Sequence, residues 1–244
     1  MVEYETIEIV NGSLSLLFLI ISWIVSIKIS RKYFVLKDPT FLYMGVSWIG
    51  VTSPWWGSTI SFIVYLISER GIPLQFYLLI TITFVPIFMV LFLKAITDLI
   101  GKEYQRTILI IILIEGFIFE IFYLYYIFIN PQVLGVLESE TDIRFKGFVM
   151  IYLISVVLIL LISGIIFGKI SLQSKSRGVQ IQGKFLIAAF VSFSIGSFLD
   201  SSIPLNLITL PISRLILISS SIEFYLGFGF PHLLQRFMKI ERAV

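Results

Sequence analysis

The 244 residues are 58% apolar and only 14% charged, with no Cys and a single His, His232. Soluble domains run nearer about 45–50% apolar and about 25% charged, so a water-facing globular exterior is excluded. The missing thiols exclude disulfides, thiolate metal sites and a cysteine nucleophile, and the net charge of +3 gives no reason to expect nucleic acid, because the basic residues sort by side of the apolar runs.

Those runs are continuous, unlike the alternating strands of a membrane β-barrel. One spanning helix needs roughly 20 apolar residues, and seven spans are expected, over residues 10–29, 41–68, 75–98, 106–129, 147–169, 184–203 and 206–229. The first follows an acidic segment, Glu3, Glu5 and Glu8. A secretory leader opens with positive charge, so this run reads as a membrane helix that stays on the chain.

The second span contains Pro54, which lacks a backbone N–H and kinks a helix. Gly50 and Gly57 bracket it, Thr52, Ser53, Ser58 and Thr59 are at hand for the freed backbone groups, and Trp55 and Trp56 follow. The third span carries Pro86 and, near one end, Lys94. The fourth holds Glu115 and Glu120, and the seventh holds Arg214 and Glu223. Ionisable groups in hydrocarbon cost at least about 2.5–3.5 kcal/mol each and turn toward partners. At ~1.5 Å per residue, Arg214 and Glu120 lie at matching depths below the outer surface. The expected partner of Arg214 is therefore Glu120 first and Asp200 second, with Lys94 and Glu223 as an inner pair. The sixth span sets Ser194, Ser197 and Ser201 on one face. Small hydroxyl residues of this kind draw helices together or line a wet cavity.

Between the fourth and fifth spans, residues 130–146 form the longest connection, with Glu138, Glu140 and Asp142. It is either a solvated loop or a lid. After Pro231, residues 231–241 mix Leu233, Leu234 and Phe237 with Arg236 and Lys239, the pattern of a short amphipathic helix lying on a membrane surface.

Orientation follows from the bias of Lys and Arg toward cytoplasmic loops. Fourteen sit in or beside the odd-numbered loops and the tail, against Arg70, Arg144 and Lys146 on the other side. The expected fold is thus all-α: one seven-helix bundle over 1–244, multi-pass in the cell membrane, N-terminus outside and C-terminus cytoplasmic.

Family motifs narrow the function by elimination. The seventh span has no Lys for a retinal Schiff base, and His232 alone cannot supply a zinc hydrolase or a Ser–His protease. The run Trp48-Ile-Gly-x-Thr-Ser-Pro-Trp-Trp-Gly-Ser58, Pro86, and Tyr225-x-Gly-x-Gly-x-Pro231 resemble uncharacterised archaeal seven-helix membrane proteins. More distantly, the chain is similar to the seven-helix input domain of sensor histidine kinases. The resemblance implies a sensor-like fold and transfers no functional residue.

With no nucleophile–base pair and no metal cluster to assemble, the chain is not expected to be an enzyme, nor to hold a metal or other cofactor. The expectation is a receptor or sensor that takes a small or lipidic ligand within the bundle, with Trp55, Trp56, Glu115, Glu120, Ser197, Asp200 and Arg214 as pocket residues. Expected partners are membrane lipids and a cytoplasmic effector on the basic inner loops. A small carrier is the alternative, since broken helices are typical of transporters; a lipid-binding scaffold is the third. The cavity is expected to open outward or to the outer leaflet, between spans two, four, six and seven.

Overall fold

The computed structural model describes residues 2–202 and 206–229, and His232 and the 231–241 segment lie outside them. The described chain is almost wholly helical. Helix α1 (Val2–Leu36) is followed by α2 (Pro39–Val51), a 3₁₀ turn at Ser53–Trp55, and α3 (Trp56–Ser68). Then come α4 (Leu74–Ile82) and α5 (Val85–Ile100), α6 (Gln105–Ile129), a hairpin of β1 (Gly135–Leu137) and β2 (Ile143–Phe145), α7 (Gly147–Leu172), α8 (Arg177–Ser202) and α9 (Thr209–Gly229).

Five stretches are long and apolar enough to cross a membrane: Thr6–Leu36, Leu74–Ile100, Gln105–Ile129, Gly147–Leu172 and Arg177–Ser201. Two of the expected spans differ, each for a local reason. The α2–α3 segment is interrupted at Pro54, which denies a hydrogen bond to the preceding turn; Thr52 Oγ1 caps that turn by donating to the Ile49 carbonyl at 2.7 Å. In α9, Arg214, Glu223 and three consecutive serines dilute an otherwise apolar helix.

Helix α1 packs on α2, α3 and α9; α5 packs on α2 and α6; α8 lies between α7 and α9. At the centre Trp48 is fully buried and stacks on Phe224 at 3.7 Å, with Phe190 and Phe193 against its edges. Helix α2 reaches α5 closely because position 50 is glycine, where a Cβ would fall 1.7 Å from the Phe88 ring. Near the Lys169 end of α7, the absence of side chains at Gly168 and Gly183 lets α7 and α8 meet backbone to backbone. Toward the hairpin these helices carry Leu161, Leu153, Phe193 and Phe198 instead, and they part.

Candidate functional site

The parting of α7 from α8 leaves an apolar groove of about 370 Å³, walled by the α2 break, α5, α7 and α8. That volume sits at the low end of the about 300–1,000 Å³ typical of small-molecule sites. Gly50, Pro54 and Trp55 form its back, Phe88 and Met89 one side, and Ser194, Ser197 and Ser201 a thin polar strip on α8. Ile154, Leu158, Ile195 and Phe198 stand at its mouth, each about half exposed or more, so it opens sideways through the flank of the bundle. The expected boundary was spans two, four, six and seven. The observed walls are the α2 break, α5, α7 and α8, because α6 packs outside α5 and α9 packs behind α8.

Trp55 joins this groove to a polar network at the hairpin end. Its ring lines the groove, while its indole N–H donates to Asp200 Oδ2 at 2.9 Å. The same oxygen accepts from Arg214 Nη1 at 2.7 Å, and Arg214 Nη2 donates to Asn11 Oδ1 at 2.8 Å. Arg214 is 1% exposed, so these two bonds and its approach to the Trp55 ring replace its hydration. Asn11 Nδ2 then donates to the carbonyl and hydroxyl of Thr141, at 3.1 and 3.2 Å.

Thr141 is the fully buried tip of the β1–β2 hairpin, which pairs Gly135 with Phe145 and Leu137 with Ile143. The tip is gripped from three further directions. Glu8 accepts from the Thr141 hydroxyl and, at 3.0 Å, from the Glu140 N–H. Ser61 donates to the Glu140 carbonyl, and the Glu140 carboxylate accepts from the Gly71 N–H. Tyr77, itself bonded to Ser58 at 2.7 Å, donates to the Thr141 carbonyl at 3.3 Å. The tip of the 130–146 connection is therefore docked on the bundle and is not a freely solvated loop. Beside the tip, half-buried Asp142 is pushed up to about 7 by burial and by the Asp200 carboxylate, against the opposing pull of Arg214.

The other expected site residues fall elsewhere. Glu120 does not pair with Arg214: equal depth does not bring α6 to α9, because α4 and α5 hold α6 at the edge of the bundle. Neither Glu120 oxygen has a hydrogen-bond partner among the described residues. Lys94 bonds to Asp98 one turn along its own helix, at 2.5 Å, and not to Glu223. Glu223 Oε2 is buried without a hydrogen-bond partner among the described residues. Trp56 turns away from the groove toward Trp23, Phe84 and Phe88. Glu115 lies in a separate groove between α6 and α7.

Glu8, Asn11, Tyr77 and Thr141 are site residues that the sequence reading did not single out. One signal was available: Glu8, Asn11, Ser15, Ser22 and Ser26 recur at three-, four- and seven-residue spacings, which puts a polar stripe on one face of an apolar helix. All five are buried. Comparison with protein-family models, with curated proteins and with solved structures finds no match.

Proposed function

We propose that this chain is a seven-helix receptor or sensor-like membrane protein, N-terminus outside and C-terminus cytoplasmic, that admits a lipidic ligand into the groove between α7 and α8. The observation that carries this reading is the double role of Trp55. One side of its ring faces the groove, and its N–H holds Asp200, the far end of the network that grips the hairpin tip. An acyl chain that displaced Trp55 would loosen Asp200, Arg214 and Asn11 in turn, so occupancy of the groove is coupled to the lid. Coupling of this kind requires the ligand to prefer one of two states.

The charge bias supports the orientation, and it puts the lid outside and the groove in the outer half of the bilayer. The basic inner loops, with Lys28, Arg31, Lys175 and Arg177, would then meet a cytoplasmic effector or anionic lipid. The breaks at Pro54 and between α4 and α5 support the carrier reading instead, since interrupted helices flank transporter sites.

Brominated phosphatidylcholine vesicles separate the readings. A variant that retains Trp55 alone, with Trp23, Trp48 and Trp56 replaced by Phe, should be quenched by acyl-chain bromine. Ser197→Phe, which fills the groove, should relieve the quenching. No quenching, or quenching indifferent to Ser197→Phe, would remove the ligand site. Saturable transbilayer transfer of a fluorescent phospholipid would replace the receptor with the carrier.

A further inference from the structure

A second groove lies on the other side of α7, away from the network just described. It runs between α6 and α7, and its floor is Phe119 stacked on Tyr152 at 3.8 Å, with Phe148 edge-on at 5.8 Å. Glu115 stands in it. Around Glu115, Leu113, Ile114, Phe117 and Ile118 are each more than half exposed, so this face of α6 is uncovered. Among the described residues the hydrogen bond to the carboxylate comes from Ser155 Oγ at 3.5 Å, and that hydroxyl already donates to the Tyr152 carbonyl at 2.7 Å. A hydroxyl carries one proton, so Glu115 keeps its acceptor capacity open toward the flank.

Depth narrows what can meet it. Glu115 is ten residues into α6 and Ser155 eight residues into α7, which runs the other way. At ~1.5 Å per residue Glu115 is ~15 Å from the start of α6 and ~21 Å from its end, and Ser155 is ~12 Å from the start of α7, which sets the pair near the middle of a hydrocarbon core about 30 Å thick. An ionisable side chain there is costly and ordinarily has a partner.

A second copy of this chain offers none among the described residues. Arg214 is 1% exposed and already held by Asp200 and Asn11, and Lys94 is bonded to Asp98 near a helix end. An amine-bearing lipid keeps its ammonium at headgroup level, more than ~10 Å away on these depths. A spanning helix is what fixes a cation at mid-bilayer.

We infer that the α6–α7 groove is the docking surface for a transmembrane helix of another protein, one that presents a Lys or Arg to Glu115 at mid-bilayer. The aliphatic stem of that residue lies along Phe122 and Tyr152, and its charge meets the Glu115 carboxylate. This is independent of the lipid groove and rests only on the membrane-spanning reading of α6 and α7.

The test uses the full chain in phosphatidylcholine vesicles, donor-labelled at a cysteine replacing Gln132. Acceptor-labelled synthetic Leu/Ala helices of about 21 residues differ only at the central position, which is Lys, Gln or Leu. Interhelical polar pairs in membranes predict on the order of tenfold tighter association for the Lys helix than for the Leu helix. Glu115→Gln should abolish that preference, and Glu115→Lys should transfer it to a helix with a central Glu, which also shows that the variant is folded. Equal association of the Lys and Leu helices would overturn the proposal, as would a preference that survives Glu115→Gln. So would Glu115-dependent energy transfer between two copies of the chain, or displacement of the Lys helix by equimolar stearylamine. Flotation of the vesicles reports insertion separately. A chain that floats without discriminating the helices loses the docking site alone, and one that fails to float loses the spanning reading as well.

Discussion

Arg214 and Asp200 give the sharpest test of the network, because their substitution costs should be unequal. Breaking a buried pair from one side costs about 3–5 kcal/mol, most of it from the charge left behind. After Arg214→Met the survivor is Asp200, whose side chain is 16% exposed and still receives the indole N–H of Trp55 at 2.9 Å. That places this variant near the low end, about 3 kcal/mol. After Asp200→Ala the survivor is a guanidinium 1% exposed, with Asn11 as its hydrogen-bond acceptor and its Nε without a partner among the described residues. This variant belongs near the high end, about 5 kcal/mol. The double variant leaves neutral groups unpaired, Asn11 Oδ1 and the Trp55 N–H, at about 1–3 kcal/mol each. It should therefore fall short of the roughly 8 kcal/mol sum of the single changes by about 2 kcal/mol or more. Thermal unfolding in detergent, followed by tryptophan emission, reads this at roughly 2–4 °C per kcal/mol for a chain of this size. Strict additivity would mean that the two groups do not interact. A costlier Arg214→Met than Asp200→Ala would refute the burial argument.

Three further outcomes follow from single residues. Asp142 is raised to about 7 in the docked hairpin and returns to its ordinary value near 3.8 when released, so docking binds extra protons between those limits. Docking of the hairpin should be strongest at acidic pH and weaken as pH rises toward about 7; the protection factors of the β1–β2 amides, taken against intrinsic exchange at each pH, should be higher at pH 5 than at pH 8, and Asp142→Asn should remove the difference. At Gly50 a Cβ would fall 1.7 Å from Phe88, so Gly50→Ala should destabilise by about 1–3 kcal/mol, and unchanged thermal stability would show that α5 yields freely. For orientation, the cysteine-free chain allows clean labelling: single cysteines at Gln132 and Gln173, exposed at opposite ends of the bundle, should react with an impermeant maleimide from outside and inside respectively, and labelling of both from one side would invert or break the topology.

The sequence alone determined the class of this protein, because composition and run length act through local physics. Long apolar stretches without charge can satisfy their backbone only as helices in a lipid setting, which locates the helices along the chain but not all their ends: α1 runs Val2–Leu36 against an expected 10–29, and α8 starts at Arg177 against 184. It also marked where a helix must break, since Pro54 lacks its donor whatever surrounds it. Arg214 was legible as a residue needing a partner for a similar reason: the cost of a buried charge belongs to the residue itself.

Which partner it found was a different matter. Depth along a helix is a one-dimensional quantity, whereas contact depends on the arrangement of helices around the bundle. That arrangement set α6 beyond α4 and α5, leaving Glu120 unpaired, and brought Asp200 and Asn11 to Arg214 instead. It also lowered the hairpin tip onto Glu8, Asn11 and Tyr77, contacts more than sixty residues apart in the chain. The apolar groove arose the same way, from glycines that clamp α7 to α8 at one end while bulky side chains hold them apart at the other. Such features depend on how helices cross, and only the assembled bundle decides that.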